Sequence, residues 1–297
     1  MVELLLHVDR FIEEIRNKYP LIDYESYLLA CDSFVNSYYK ATGVFNRLSE
    51  KRDDIVISLT TIPSRIDNLW VVLESIYRQT VQPGKLVLYI SKDEFEGRTL
   101  PESLNKALNR GLIIVMCDNL YSHKKYYYAM QEFADKFVVT IDDDIVYSEH
   151  MLRRLLDCYA DNPGSIICSR ANVIKRINGR PMKYTLWRGI DEIDQKCIDN
   201  RDLFFTTGGG TLFPPKSLPH ETFNRDVFMR ICKTADDVWL NYMARMNGTS
   251  IAWTGKIDNK CHFYRDSQVD CLSDINLMNN GNDNCIDLMK QHYKFEL

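Results

Sequence analysis

FVVTIDDDIVY, residues 137–147, carries an apolar run into three consecutive carboxylates and out again. Residues 137–141 are β-branched or aromatic, a short run without polar alternation, which is the pattern of a strand covered on both faces. Three similar runs precede it: IVISL (55–59), KLVLYI (85–90) and LIIVM (112–116). Between them, DNLWVVLESIYRQ places Leu69, Val72, Leu73 and Ile76 at helical spacing. PESLNKALNR reads as a short helix ended by Gly111, and KKYYYAMQEFAD as another. Strand and helix in alternation predict an α/β chain with a doubly wound, mostly parallel sheet flanked by helices. Ligands of such sheets gather beyond the carboxyl ends of the strands, and Asp142, Asp143 and Asp144 stand at one of those ends.

The flanks of this region read differently. Residues 1–50 are expected to form an N-terminal helical extension, with Phe11, Ile12 and Ile15 on one face and an aromatic-rich stretch after them. Residues 51–297 are expected to form the main domain, split into a strand-end half at about 51–145 and a less regular half at about 146–297. In the second half, Ser148 is placed to cap a helix carrying Met151, Leu152, Leu155 and Leu156, which stops at Asn162-Pro163-Gly164. Strands are expected near 166–168 and 251–253 and a helix at 235–247, with a polar stretch to 202 and a tail rich in Asn and Asp.

A net charge of −4 argues against a general nucleic-acid binder, since such binding needs Lys and Arg to neutralise phosphates. Nine cysteines, an odd number with no CxxC pair, read as reduced thiols. The opening MVELLLHVDRFIEE has too short an apolar run for a signal segment or a membrane span. These features lead to the expectation of a cytoplasmic protein, compatible with peripheral attachment at the inner face of the membrane.

If the strand continues through the acids, Asp142 and Asp144 face one way and Asp143 the other. Two carboxylates about 4 Å apart repel by roughly 4 kcal/mol at an effective dielectric of 20, so protons, cations or water must offset them. A divalent cation does this well, and hard oxygen ligands suit Mg²⁺ or Mn²⁺ with open positions for phosphates. The plainer account is a solvated acidic turn before the next helix. Asp142-x-Asp144 also fits the nucleophile loop of haloacid-dehalogenase-like phosphatases, but that loop follows the first strand of its domain and here three strands come earlier.

Over residues 54–265 the ordered set IVISLTTIPSRI, SHKKYYYAM, IDDDIVY and TADDVWL resembles the nucleotide-sugar-dependent glycosyltransferases of the GT-A fold, in particular family-2-like bacterial enzymes of surface polysaccharide synthesis. The resemblance implies a metal-dependent, inverting transfer from a nucleoside diphosphate sugar, UDP foremost, to a glycan or lipid-linked acceptor. It implies Asp144 as the direct metal ligand, Asp142 on the ribose or the metal, and Asp143 on the sugar. His262 in KCHFYRD matches the place of a third metal ligand, although a lone His is more often structural.

Thr60, Thr61, Pro63 and Arg65 close the first strand, where hydroxyls and a guanidinium can meet a nucleotide, or where a threonine merely caps a helix. Lys124 or Lys125 can approach a diphosphate, with the other of the pair solvated. An inverting transfer needs a carboxylate to deprotonate the acceptor. The resemblance places that base in Asp236-Asp237, with Asp237 preferred, while Thr234 and Asp237 also fit a helix capping box. Gly208, Gly209 and Gly210 read by themselves as a flexible turn, and the resemblance implies a wall beside sugar or acceptor where bare backbone can approach a ligand. Trp239 offers a sugar an apolar face or belongs to the core.

Two rivals stay in view. A sugar nucleotidyltransferase on a similar fold would carry a Gly- and Lys-rich phosphate loop after the first strand, which LTTIPSRI lacks. A non-catalytic carbohydrate-binding or scaffold protein on the same fold would show no turnover. Neither the sugar nor the oligomeric state is legible.

Overall fold

The computed structural model describes residues 50–193, 199–255, 262–263 and 281–297. The expected N-terminal helical extension lies outside the described residues. The four apolar runs form β1 (Glu50–Thr60), β2 (Val81–Ser91), β3 (Leu112–Cys117) and β4 (Phe137–Thr140). The amphipathic segments between them form α1 (Leu69–Tyr77), α2 (Glu102–Asn109) and α3 (Lys124–Glu132). Leu69, Val72, Leu73 and Ile76 are all buried, so the 3.6-residue spacing does aim one face of α1 at the sheet.

β1 pairs in parallel with both β2 and β4, and β2 with β3. β5 (Ile145–Val146) follows the acidic run directly. β6 (Ile166–Cys168), β12 (Thr211–Phe213) and β13 (Ile251–Trp253) complete a seven-stranded sheet in the order β13-β6-β12-β4-β1-β2-β3. Only β12 runs against its neighbours, pairing antiparallel with β4 and β6. The mostly parallel α/β sheet expected from the sequence is present.

The order explains where a site belongs. From β1 to β3 the chain steps one way across the sheet, then α3 carries it back to β4 on the other side of β1. Right-handed crossovers put α1 and α2 on one face and α3 on the other, which leaves a crevice between β1 and β4 at their carboxyl ends. The loops after these strands hold Thr60–Arg65 and Asp142–Asp144.

Beyond Asp144, α4 (Met151–Asp161) ends at Asn162 as the Asn-Pro-Gly signal requires. The stretch read only as polar contains β7 (Ala171–Val173), β8 (Arg176–Ile177), β9 (Arg180–Pro181) and β10 (Arg188–Gly189). β7 lies between β10 and β11 (Leu203–Phe205), while β8 and β9 pair only with each other. The Asn- and Asp-rich tail holds a helix at Gly281–Tyr293, and α5 (Arg225–Ile231) precedes α6 (Asp236–Met246). These short strands carry two or three residues each, too few for periodicity to register.

Seven consecutive residues of α6 beyond its second position, Val238 to Ala244, are buried, beside Phe204, Phe205, Phe213 and Phe228. Trp239 is one of them, fully buried, with its indole N–H donated to the Thr222 carbonyl at 3.0 Å. It therefore belongs to the core and offers no sugar a face. Two capping expectations also change. The N-cap of α6 is Ala235, without a side-chain bond, so Thr234 does not cap it; the N-cap of α4 is His150, not Ser148.

Candidate active site

β4 stops at Thr140, and Asp142, Asp143 and Asp144 turn through a bend instead of continuing the strand. The alternation expected of a strand is lost: Asp143 and Asp144 share Arg65, and Asp142 takes Lys125. Asp143 accepts the Thr61 hydroxyl at 2.6 Å and an Arg65 N–H at 2.7 Å, and the same Arg65 nitrogen lies 3.2 Å from Asp144. Asp142 accepts the Lys125 ammonium at 2.5 Å.

Both oxygens of Asp143, expected on the sugar, are engaged by the loop after β1, so Asp143 ties two strand ends together. Burial lifts its carboxyl above the usual range, against the pull of Arg65 and of the Thr61 hydroxyl. Thr61 and Arg65, expected on a nucleotide, hold that carboxylate, and the Thr60 hydroxyl donates to the Tyr89 carbonyl at 2.8 Å. Pro63 sits half-buried in the turn between them.

Neither lysine of the pair is solvated. Lys124 is buried, with its ammonium 3.4 Å from Ser91 Oγ and from Asn119 Oδ1, and 3.5 Å from Glu94. Lys125 is buried on the other side, its carbonyl held by the Ser58 hydroxyl of β1. Its ammonium reaches two carboxylates distant in sequence, Asp142 at 2.5 Å and Asp236 at 3.2 Å. Burial alone would lower its pKa, but Asp142, Asp236 and Asp237 together raise it, so it stays a cation.

The glycine run supplies the remaining wall. A Cβ on Gly208 would stand 1.7 Å from Asp142 Oδ2, and one on Gly209 2.5 Å from the Arg170 Cβ. The Asp142 carboxylate thus lies flat on backbone that only glycine leaves bare. Gly210, at φ +92°, turns the chain into β12. Tyr147 locks the corner: its hydroxyl accepts the Asp142 N–H at 2.8 Å and donates to the Gly208 carbonyl.

Thr207, which sequence reasoning passed over, joins this wall to α6. Its N–H donates to Asp237 Oδ1 at 2.8 Å, and its hydroxyl lies 2.7 Å from the same oxygen and 2.9 Å from Asp236 Oδ2. Asn241, one helical turn past Asp237, was missed too; its amide donates to the Asp237 and Phe205 carbonyls, each at 2.8 Å. Both acceptors are backbone carbonyls, so no pattern of side chains in the sequence signals it.

The two aspartates of α6 differ in charge state. For Asp236 burial is outweighed by Lys125, with His123 adding to it, and the carboxyl is held below its usual range. Asp237 is pushed up to about 6 by burial and by its ionised neighbour. The two adjacent carboxyls are thereby pushed to opposite sides of the usual range.

Asp142, Asp143, Asp144, Asp236 and Asp237 gather around Lys125 and Arg65. Their hard oxygen donors suit Mg²⁺ or Mn²⁺. Among the described residues, no three His, Cys, Asp or Glu side chains assemble as a complete metal-holding set. The backbone of His262 pairs with Val146, two residues past Asp144, in β14 (His262–Phe263) against β5; its side chain, and with it the expected third ligand, lies outside the described residues.

No protein-family model matches the chain. No curated protein matches it either. Among solved structures, a 4-diphosphocytidyl-2C-methyl-D-erythritol synthase is similar with a TM-score of 0.44 and 13% identity, over 75% of this chain and 97% of the other. S. aureus TarS 1-349 in complex with UDP is similar with a TM-score of 0.46 and 13% identity, over 82% of this chain and 72% of the other. S. aureus TarS 1-349 in a second structure gives 0.43 and 14%, with the same coverage. All three scores fall below 0.5.

Proposed function

We propose that the protein is a metal-dependent glycosyltransferase that moves a sugar, with inversion, from a nucleoside diphosphate onto a hydroxyl of a glycan or lipid-linked acceptor. The reading is supported above all by Lys125. Its buried ammonium joins Asp142, at the end of β4, to Asp236, at the start of α6, so carboxylates more than ninety positions apart share one cation at the sheet's switch point.

In this reading Asp237 is the base. It takes the proton of the acceptor hydroxyl as that oxygen bonds to the sugar's anomeric carbon, while the bond from that carbon to the diphosphate breaks and the nucleoside diphosphate leaves with the electron pair. Thr207 holds Oδ1 of Asp237 and so aims Oδ2 at the acceptor. Asp236, kept ionised by Lys125, raises the proton affinity of its neighbour. Gly208 and Gly209 leave the space in which the Asp142 carboxylate and the Arg170 stem lie against the backbone. Asp142 and Asp144 would hold the cation, with UDP as the preferred nucleotide. When bound, such an ion offsets charge growing on the departing diphosphate.

Asp237→Asn tests the assignment. Transfer should fall by at least 10³-fold, in keeping with loss of a general base, while donor binding by calorimetry stays within a factor of about two. In the unsubstituted protein, kcat/KM should rise with pH through about 6 and then level, because the base must be ionised. A variant that transfers normally, or a profile with no limb near 6, removes Asp237 from the reaction.

A further inference from the structure

Residues 162–190 contain six Lys and Arg and no Asp or Glu, in a chain whose net charge is −4. The run is built into the β8–β9 hairpin and the strands that flank it. Asn178 and Gly179, at φ +51° and +78°, make the two-residue turn that suits a right-twisted hairpin. The hairpin is too short to stand alone, and its base is pinned. The Met182 N–H donates to the Lys175 carbonyl at 2.7 Å, Arg176 bonds Asp202 at 2.6 Å and the Leu297 carbonyl at 2.9 Å, and the Trp187 indole donates to the Met182 carbonyl at 2.9 Å.

With Arg176 spent on that anchor, Lys175, Arg180, Lys183 and Arg188 remain exposed. Two acids near the arm are themselves engaged, Asp202 by Arg176 and Glu296 by Lys290. Within the same run lie the two most exposed large apolar side chains among the described residues, Ile177 at 54% and Leu186 at 44%. A soluble polyanion would reward the cations but leave Ile177 and Leu186 in water. A bilayer interface accepts both, taking aliphatic side chains below the headgroups and Lys and Arg among the phosphates.

We propose that the hairpin spanning residues 175–183 docks the protein on an anionic lipid surface. Ile177 enters the interface, and Lys175, Arg180 and Lys183 lie on lipid phosphates. The inference stands apart from the transferase reading, because binding to vesicles is measured without any donor or acceptor.

The test is co-sedimentation of the full chain with vesicles of phosphatidylglycerol and phosphatidylcholine, against phosphatidylcholine alone, at about 0.1 M salt. Binding should require the anionic lipid and weaken as salt rises. Neutralising Lys175, Arg180 and Lys183 to Gln should reduce affinity about a hundred-fold, from about 1 kcal/mol per basic side chain at the surface. Ile177→Asp should reduce it as well, although it leaves every cation in place. All four positions are exposed, so thermal unfolding should hardly change. Equal binding to neutral vesicles, or none to anionic ones, would overturn the proposal. So would displacement by free polyphosphate with Ile177→Asp indifferent, which would identify a soluble polyanion as the ligand.

Discussion

At the scale of single residues, the site is a set of carboxylates held in unlike states by unlike neighbours. Asp236→Asn removes the charge that pushes Asp237 up and frees Lys125 to act on it. The acid limb of the kcat/KM profile should therefore move to a pH below 6, and a limb that stays or rises would show that burial alone sets it. Gly208→Ala probes the opposite wall. With Asp142 Oδ2 only 1.7 Å from the new Cβ, and 39% of that side chain exposed, the carboxylate should swing outward and leave Lys125. Donor affinity should fall by about ten-fold or more, in line with losing a charge-assisted contact of about 1.5–3 kcal/mol. Unchanged affinity would detach Gly208 from the donor side. The acids and glycines were legible because carboxylates at a strand end and a glycine run are conspicuous in a line of text. The direction in which each side chain points was not. Asp143 turns to Thr61 and Arg65 because the strand ends two residues before the acidic run, a boundary that apolar patterning cannot place to within a residue.

Among elements, α3 does more than cross between strands. Its first two lysines go to opposite sides, and His123 just before it is fully buried. The His123 ring contacts the Tyr126 hydroxyl at 2.9 Å and the Cys232 carbonyl at 2.7 Å, and stacks on Phe228 with centroids 4.4 Å apart. Burial pushes its pKa down to about 4, against the pull of Asp236. An unfolded His takes its proton near 6.5. The stability linked to His123 is thus complete above pH 6.5 and declines as pH falls towards 4, by about 3 kcal/mol at most. His123→Gln, whose amide can meet the same two partners, should remove that decline. Denaturant unfolding at pH 7 and pH 5 would show it as a smaller difference in the variant, and an equal difference would locate the acid sensitivity elsewhere. The long strands and the amphipathic helices could be read from periodicity. The two-residue strands β8, β9 and β10 could not: β8 and β9 pair across the Asn178-Gly179 turn with Arg176 reaching the distant Leu297, and β10 pairs with β7 fifteen residues earlier in the chain.

For the whole molecule, the parallel sheet supplies a crevice between β1 and β4, and the long return through β6, β11 and β12 brings α6 back to face it. The apolar core of that return holds Trp239, Leu240 and Met243, and so fixes Asp236 and Asp237 at the helix's first turn. Among the described residues no helix is long and apolar enough to cross a membrane; the basic arm is the feature that bears on lipid. Asp144 contributes to the same crevice, and its replacement by Ala should abolish metal-dependent activity with the secondary structure unchanged by circular dichroism. The most direct measurement is thermal unfolding of the full chain titrated with UDP, with and without Mn²⁺, for the unsubstituted protein and for Asp142→Asn. A ligand held only by the native state raises the unfolding temperature by mass action. The account predicts a rise that needs both UDP and Mn²⁺ and is absent in Asp142→Asn. No shift in the unsubstituted protein, or the same shift in the variant, would contradict it.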